Sequence, residues 1–140
     1  MDKITLPQAE LYFIEDSIIK IDMLHNEEME VPQIKEIFEA YLKLANGKPF
    51  STLTDLSKSI GSSSNEARQY AADNSNSPNK IADALVFATL AKKLMANFYI
   101  QFNKPKCLTR AFTSVDAALK WLKKVKKDNP KKSQKHPQAQ

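Results

Sequence analysis

Apolar residues recur at every second position over the first part of the chain. The segments 9–16 and 17–24, "AELYFIED" and "SIIKIDML", both follow this pattern. A period of two is typical of a strand with one buried face. A tight turn near Asp16–Ser17 would join the two segments, so they are predicted to form an antiparallel hairpin.

A spacing of three to four residues between apolar positions indicates two long helices. The first, "VPQIKEIFEAYLKLANG", has Pro32 at a favourable first position and Gly47 where a helix can end in the left-handed conformation. The second covers 114–127. Each has one apolar stripe that is expected to face the core. The stripes comprise Ile34, Ile37, Phe38, Tyr41 and Ala45 in the first helix, and Val115, Ala118, Leu119, Leu122 and Val125 in the last.

The segments in between alternate in type. Further strands are predicted at 48–57, 81–89 and 106–114, and further helices at 63–73 and 90–103. The order β-β-α-β-α-β-α-β-α predicts an α/β fold: a five-stranded mixed, mostly parallel sheet with about four helices. We expect a single domain over 1–127 and a basic, disordered tail over 128–140.

The positive charge is concentrated at the C-terminal end. The chain carries a net +5, but residues 120–140 contain eight lysines and one aspartate, so the remainder carries a net −2. An acidic body is a poor electrostatic match for nucleic acid. We therefore expect no specific nucleic-acid partner, and only weak, salt-dependent contact of the lysine tail with anions.

The residues that nucleotide binding, metal binding and nucleophilic catalysis require are missing or too far apart in the sequence. Gly47 and Gly61 are the only glycines, so the glycine-rich loops that bind nucleotide phosphates are missing. Cys107 is the single cysteine and is expected to be a buried, inert thiol, while His25 and His136 are too far apart for a zinc site and are expected to be solvated. We predict no enzyme activity, cofactor or metal. Without an apolar run long enough to span a membrane or a secretory signal, the chain is predicted to be cytoplasmic.

Four stretches, in this order, resemble the STAS/SpoIIAA-like domains: "ANGKPF", "TDLSKSIGSSSNEARQYAA", "NFYIQFNKP" and "RAFTSVDAALKWL". The chain is most similar to the small stand-alone bacterial STAS/SEC14-like proteins of unknown function. The resemblance implies a five-stranded mixed sheet and a non-enzymatic, protein-binding or regulatory role.

The serine-rich segment 51–64 has three interpretations, of which phosphate binding at the helix start is the least favoured because Glu66 already supplies negative charge there. In anti-sigma-factor antagonists of the same superfamily, a serine that follows an aspartate at the start of a helix is phosphorylated. Here Asp55 is followed by Leu56 and then Ser57, so that pattern is not reproduced. The alternative is a polar loop that ends in a helix cap, because Ser63 and Glu66 have the spacing of a capping box.

The helix at 90–103 is also open to two interpretations. Ala91, Leu94, Met95, Phe98 and Phe102 form one stripe, which is expected to be core. Tyr99 and Ile100 fall outside this stripe, so the apolar arc is wider than one sheet face requires, and it either buries more surface or is a contact surface for a partner or a second copy. We predict a non-catalytic, STAS-like protein-interaction or regulatory module whose partner is another protein or a homodimer. The alternative is a carrier of a small apolar ligand, with an apolar pocket between this helix and the sheet. The candidate partner-binding or phospho-acceptor residues are Ser57, Ser62, Ser63, Ser64, Arg68, Tyr99 and Phe102.

Overall fold

The computed structural model describes residues 2–128, so most of the predicted tail lies outside the described residues. Six strands and four helices alternate as the sequence predicts, with one additional strand at the start. The elements are β1 Lys3–Thr5, β2 Ala9–Glu15, β3 Ile18–Met23, α1 Val31–Ala45, β4 Phe50–Asp55, α2 Asn65–Asp73, β5 Lys80–Val86, α3 Leu90–Asn103, β6 Leu108–Phe112 and α4 Val115–Asp128.

The strands form one mixed sheet in the order β1-β2-β3-β4-β5-β6. β1 to β3 are antiparallel neighbours, whereas β3 to β6 are parallel to one another. The mixed, mostly parallel α/β fold is therefore confirmed, but the sheet has six strands and not five. Sequence analysis missed β1 because it is three residues long and only Ile4 is apolar, which is too short for a period of two to be recognised.

Helices cover the two faces of the sheet unequally. α1 contacts α2, and α2 contacts α3, so these three helices form one layer, while α4 packs on β4, β5 and β6 from the opposite side. Two hydrophobic clusters result, one beneath α1 and one beneath α4. The predicted stripes of the first and last helices face these clusters, which confirms their inward orientation. None of the helices in residues 2–128 combines the length and the apolar character that crossing a bilayer requires.

Short backbone features fix the ends of the elements. Ser17 adopts a positive φ of 62° in the predicted hairpin turn between β2 and β3. α1 has a proline in its first turn, as expected, and its last turn closes on Asn46, which is itself left-handed with φ 52°. Gly47 follows with φ 78°, so two residues share the turn that the sequence assigned to the glycine alone.

A charged residue lies inside the layer between α1 and the sheet. The side chain of Lys80 is 1% exposed, and its Nζ lies 3.3 Å from the hydroxyl of Tyr41 and 3.9 Å from Oδ2 of Asp83. Asp83 also accepts hydrogen bonds from the hydroxyls of Thr52 and Thr54. Burial lowers the pKa of Lys80, but Asp83 and Tyr41 more than offset this effect, and the pKa lies above its usual value.

We expect the Asp83→Ala variant to lose about 3–5 kcal/mol of unfolding free energy, because a buried ammonium then lacks its carboxylate. Urea unfolding followed by circular dichroism measures the loss. Lys124→Ala is the matched control, because it removes an exposed pair with Asp128 and should change stability by less than about 1 kcal/mol. Equal losses in the two variants would show that the Lys80 network contributes no more than a surface ion pair.

Candidate functional site

The structure brings together most of the predicted site residues. Ser62, Ser63 and Ser64 lead into α2, Arg68 lies one turn further along that helix, and Tyr99 faces Arg68 from α3. Ser57 and Phe102 do not belong to this group. Ser57 is bonded to Asp55 at the end of β4, and Phe102 lies on the outer side of α3.

The three serines are held in an extended conformation by the loop that precedes α1. Met29 donates its backbone N–H to Ser62 O at 2.7 Å, and Ser64 donates its N–H to Met29 O at 3.1 Å. α2 therefore begins after Ser64, whose hydroxyl accepts a hydrogen bond from Ala67 N at 3.0 Å. The predicted capping box on Ser63 is wrong by one residue, because the bridge to Met29 keeps Ser63 out of the helix.

Arg68 joins the serine segment to α3. Its guanidinium donates to Ser63 O at 2.5 Å and to Oδ1 of Asn65, and it lies 4.1 Å from the centroid of the Tyr99 ring. Such a stacked cation contributes about 0.5–2 kcal/mol. Arg68 therefore holds α3 against α2 at the same point where the serine segment ends.

A shallow depression of about 430 Å³ lies at the start of α2. It is lined by Glu28, Ser63, Ser64, Asn65, Glu66 and Arg68. Two carboxylates and one guanidinium leave a net negative charge, which disfavours a bound phosphate despite the free amides of the helix start. The depression is polar, and it does not lie between α3 and the sheet, where the carrier hypothesis expects an apolar pocket. The carrier hypothesis therefore stays a prediction.

Ser57 lies in a separate polar cluster beside the outer face of β3. Its hydroxyl donates to Oδ1 of Asp55 at 2.6 Å, and Lys20 Nζ lies 3.4 Å from Oδ2 of the same carboxylate. Burial raises the pKa of Asp55, but the hydrogen bonds from Ser57 and the Lys20 ammonium lower it by more, so that it lies below its usual value. A carboxylate with a lowered pKa is a weaker base than usual, so this hydrogen bond gives no support for Ser57 as an activated nucleophile.

His25 is only partly solvated, whereas the sequence predicts a solvated imidazole. It is half-buried, and its Nδ1 lies 3.1 Å from the hydroxyl of Ser59. Gly61 permits this close approach of two loops, since a Cβ there would lie 2.6 Å from the imidazole and 2.3 Å from the carbonyl oxygen of Glu27. Burial lowers the pKa of His25. Sequence reasoning missed this contact because it joins residues 34 positions apart.

α3 presents its most apolar side to solvent. Five large side chains are between 58% and 69% exposed: Leu90, Leu94, Met95, Phe98 and Phe102. On the inner side only Ala96 is buried, with Tyr99 and Ile100 half-buried. The interpretation of the stripe as core is therefore wrong, and we call these five side chains the α3 face.

The outward orientation has a partial signal in the sequence. Positions 96, 97, 100 and 103, which share one side of the helix, hold alanine, two asparagines and only one large apolar residue. A helix packed closely on a sheet edge needs small side chains on its inner side. The periodicity reveals two sides, but it does not decide which of them is buried.

We expect Ser64→Ala to lower the unfolding free energy by about 1 kcal/mol, because the amide of Ala67 loses its acceptor. Ser63→Ala is the matched control and should have an effect of less than about 0.5 kcal/mol, because the contacts of Ser63 described above use its backbone. Chemical unfolding of the two variants measures both values. A larger loss for Ser63→Ala would restore the capping box that the sequence predicts.

Stability should fall as the pH drops below the usual His25 pKa of 6.5. Since burial lowers the pKa in the folded state, the unfolded chain binds the proton first, so the contribution is complete above pH 6.5 and lost as the pH falls through the folded pKa. Unfolding curves between about pH 7.5 and about pH 5 should show a shallower slope for His25→Gln than for the wild type. Identical slopes would contradict the buried, neutral imidazole.

Comparisons with known proteins bear on the fold and the family. The structure is similar to that of an uncharacterised DUF3478-family protein with a SpoIIAA-like fold from Shewanella loihica PV-4, with a TM-score of 0.56 and 12% identity, over 81% of this chain and 91% of that one. The SpoIIAA-like fold inferred from the sequence is thereby confirmed. No functionally curated protein matches the chain. The profile of the family described as "Domain of unknown function (DUF7793)" matches residues 12–126, and the chain therefore belongs to that family.

Proposed function

We propose that the chain is a non-catalytic protein-interaction module that binds another protein through the α3 face. The observation that carries this proposal is the exposure of its five large apolar side chains, none of which is less than 58% exposed. Exposed apolar residues are common singly, but five on consecutive turns of one helix form a continuous surface.

The size of the α3 face supports a specific contact. A fully exposed aromatic side chain offers roughly 150–250 Å², so the five partly exposed side chains together leave on the order of 600 Å² uncovered. This area equals the largest apolar patches of typical monomers, which extend to about 600 Å². It is also most of the roughly 800 Å² per partner in a standard interface.

The polar clusters support a role without catalysis. Ser57 donates to a weakly basic carboxylate, and the depression at the start of α2 holds two carboxylates without an adjacent imidazole. The serines at 62–64 contribute to the bridge with Met29 and to the cap of α2. We infer that these serines position α2. Because Arg68 binds the carbonyl of Ser63 and stacks on Tyr99, they also help to position α3.

Photo-crosslinking in cells tests the proposal. With Phe98 replaced by benzoylphenylalanine, we expect a discrete adduct with a second protein, because the ring is 64% exposed at the centre of the α3 face. The same replacement at Lys127, exposed on α4, is the matched control and should give no such adduct. In a lysate, added wild-type protein should suppress the adduct, whereas the Leu94→Glu and Phe102→Glu double variant should not.

Two results would contradict the proposal. Adducts of equal yield at positions 98 and 127 would mean that the α3 face has no preferred partner. An adduct consisting of two copies of this chain would mean that the module is a homodimer. Circular dichroism must show that the double variant is folded, as expected for substitutions of exposed side chains, which change stability by about 0.5 kcal/mol.

A further inference from the structure

The charged side chains that α3 itself carries are all of one sign. Between Asp83 and Asp116 the chain contains no aspartate or glutamate but five cations, namely Lys92, Lys93, Lys104, Lys106 and Arg110. This segment contains the whole of α3 and β6, the edge strand beside it. The α3 face is therefore an apolar surface with a basic border.

The helix geometry places the lysines on both sides of the face. With about 100° between successive residues, the five apolar side chains span an arc of about 140° from Leu90 to Met95. Lys93 lies about 60° before this arc and Lys92 about 60° after it. Lys104 closes the helix with a left-handed backbone, and Lys106 is exposed just beyond it.

This border disfavours the chain's own surfaces as occupants. Two copies meeting through their α3 faces would bring Lys92, Lys93 and Lys104 of one copy towards the same lysines of the other, and like charges across an interface cost affinity. The tail at 129–140 carries three lysines, no carboxylate side chain and no large apolar residue. Its composition matches neither the apolar face nor the basic border.

A flat anionic lipid surface matches less well than a narrow protein element. α2 lies beside α3, and Glu66 and Asp73 are exposed on it. A bilayer extends in all directions and would meet these carboxylates, whereas a partner helix about 10 Å wide can lie along α3 alone. The exposed amide of Gln101 lies within the arc and can pair with a polar group of a protein.

We propose that the partner surface is an acidic amphipathic helix, with apolar residues at i, i+3, i+4 and i+7 and aspartate or glutamate on both borders. Its apolar residues cover the α3 face, and its carboxylates meet Lys92 and Lys93 along the sides and Lys104 at the end. This inference rests on the proposed function and adds the chemistry of the partner. Charge complementarity of this kind selects the partner and accelerates association.

A pair of synthetic peptides tests the charge selection. The probe is a helical peptide of about 18 residues, roughly 27 Å long, with leucines on one side and glutamates on its borders. Its matched control has lysine in place of every glutamate. By calorimetry with the full chain, we expect the acidic peptide to bind at least about tenfold more tightly at about 50 mM NaCl, with a smaller advantage at about 500 mM.

Charge reversal on the protein provides the second arm. The double variant Lys92→Glu/Lys104→Glu should bind the acidic peptide more weakly and the basic peptide more tightly. The control double variant Lys120→Glu/Lys127→Glu changes two exposed lysines of α4 and should leave both affinities unchanged. The Phe98→Glu variant should bind neither peptide.

The outcomes separate the two proposals. If both peptides bind equally and Phe98→Glu abolishes both, the interaction module stands and the acidic partner is refuted. If neither peptide binds, while the chain sediments with phosphatidylserine vesicles through Phe98, the surface is a lipid contact and both proposals fail. A dimer in analytical ultracentrifugation that Phe98→Glu dissociates identifies a second copy as the occupant and overturns the acidic helix.

Discussion

The order of the parallel strands determines where the three connecting helices lie. β3 to β6 follow one another across the sheet in chain order, and connections between parallel strands are right-handed. α1, α2 and α3 must then lie on one face in the same order, and α4 alone covers the other. α3 is the last helix of its layer, above the edge strand β6, and has one helical neighbour instead of two.

This position limits how much apolar surface α3 can bury. α1 also lies at one end of the layer, but it covers the interior strands β2 and β3 and buries Ile37 and Tyr41 there. The main contacts of α3 are with a short edge strand and α2, and Ala96 is its one buried residue among those described. The apolar side chains that exceed this small contact face outward, so the α3 face is a consequence of the topology as well as of the composition.

The sequence correctly predicted the elements that have a regular apolar periodicity. It was less accurate where the local structure depends on contacts between residues far apart in the chain. The hairpin and the long helices α1 and α4 were predicted with their buried sides because each has a regular apolar pattern. The cap of α2 was placed one residue early because three consecutive serines are equally suitable caps, and the bridge to Met29 selects among them. Within the candidate site, Arg68 and Tyr99 were each predicted as partner-binding residues on different helices, and the structure shows that they contact each other.

The orientation of α3 requires more than its contacts with α2. The side-chain amide of Asn103 donates to Oε1 of Gln69 at 2.8 Å, Gln69 donates in turn to Asn103 O at 3.2 Å, and Arg68 stacks on Tyr99. With about 1 kcal/mol for each hydrogen bond and about 1 kcal/mol for the stacking, these contacts contribute about 3 kcal/mol together.

Burying even two of the five exposed side chains would contribute about as much, at roughly 1.5–3 kcal/mol each. The contacts with α2 are therefore too weak by themselves to keep an apolar side in water. The burial of Ala96 resolves the conflict, because a phenylalanine or leucine turned to that side would overpack the contact, at a cost of about 1–3 kcal/mol for each misfit. The fold thus holds the α3 face outward by excluding it from the interior, and that face loses its contact with water only when another molecule covers it.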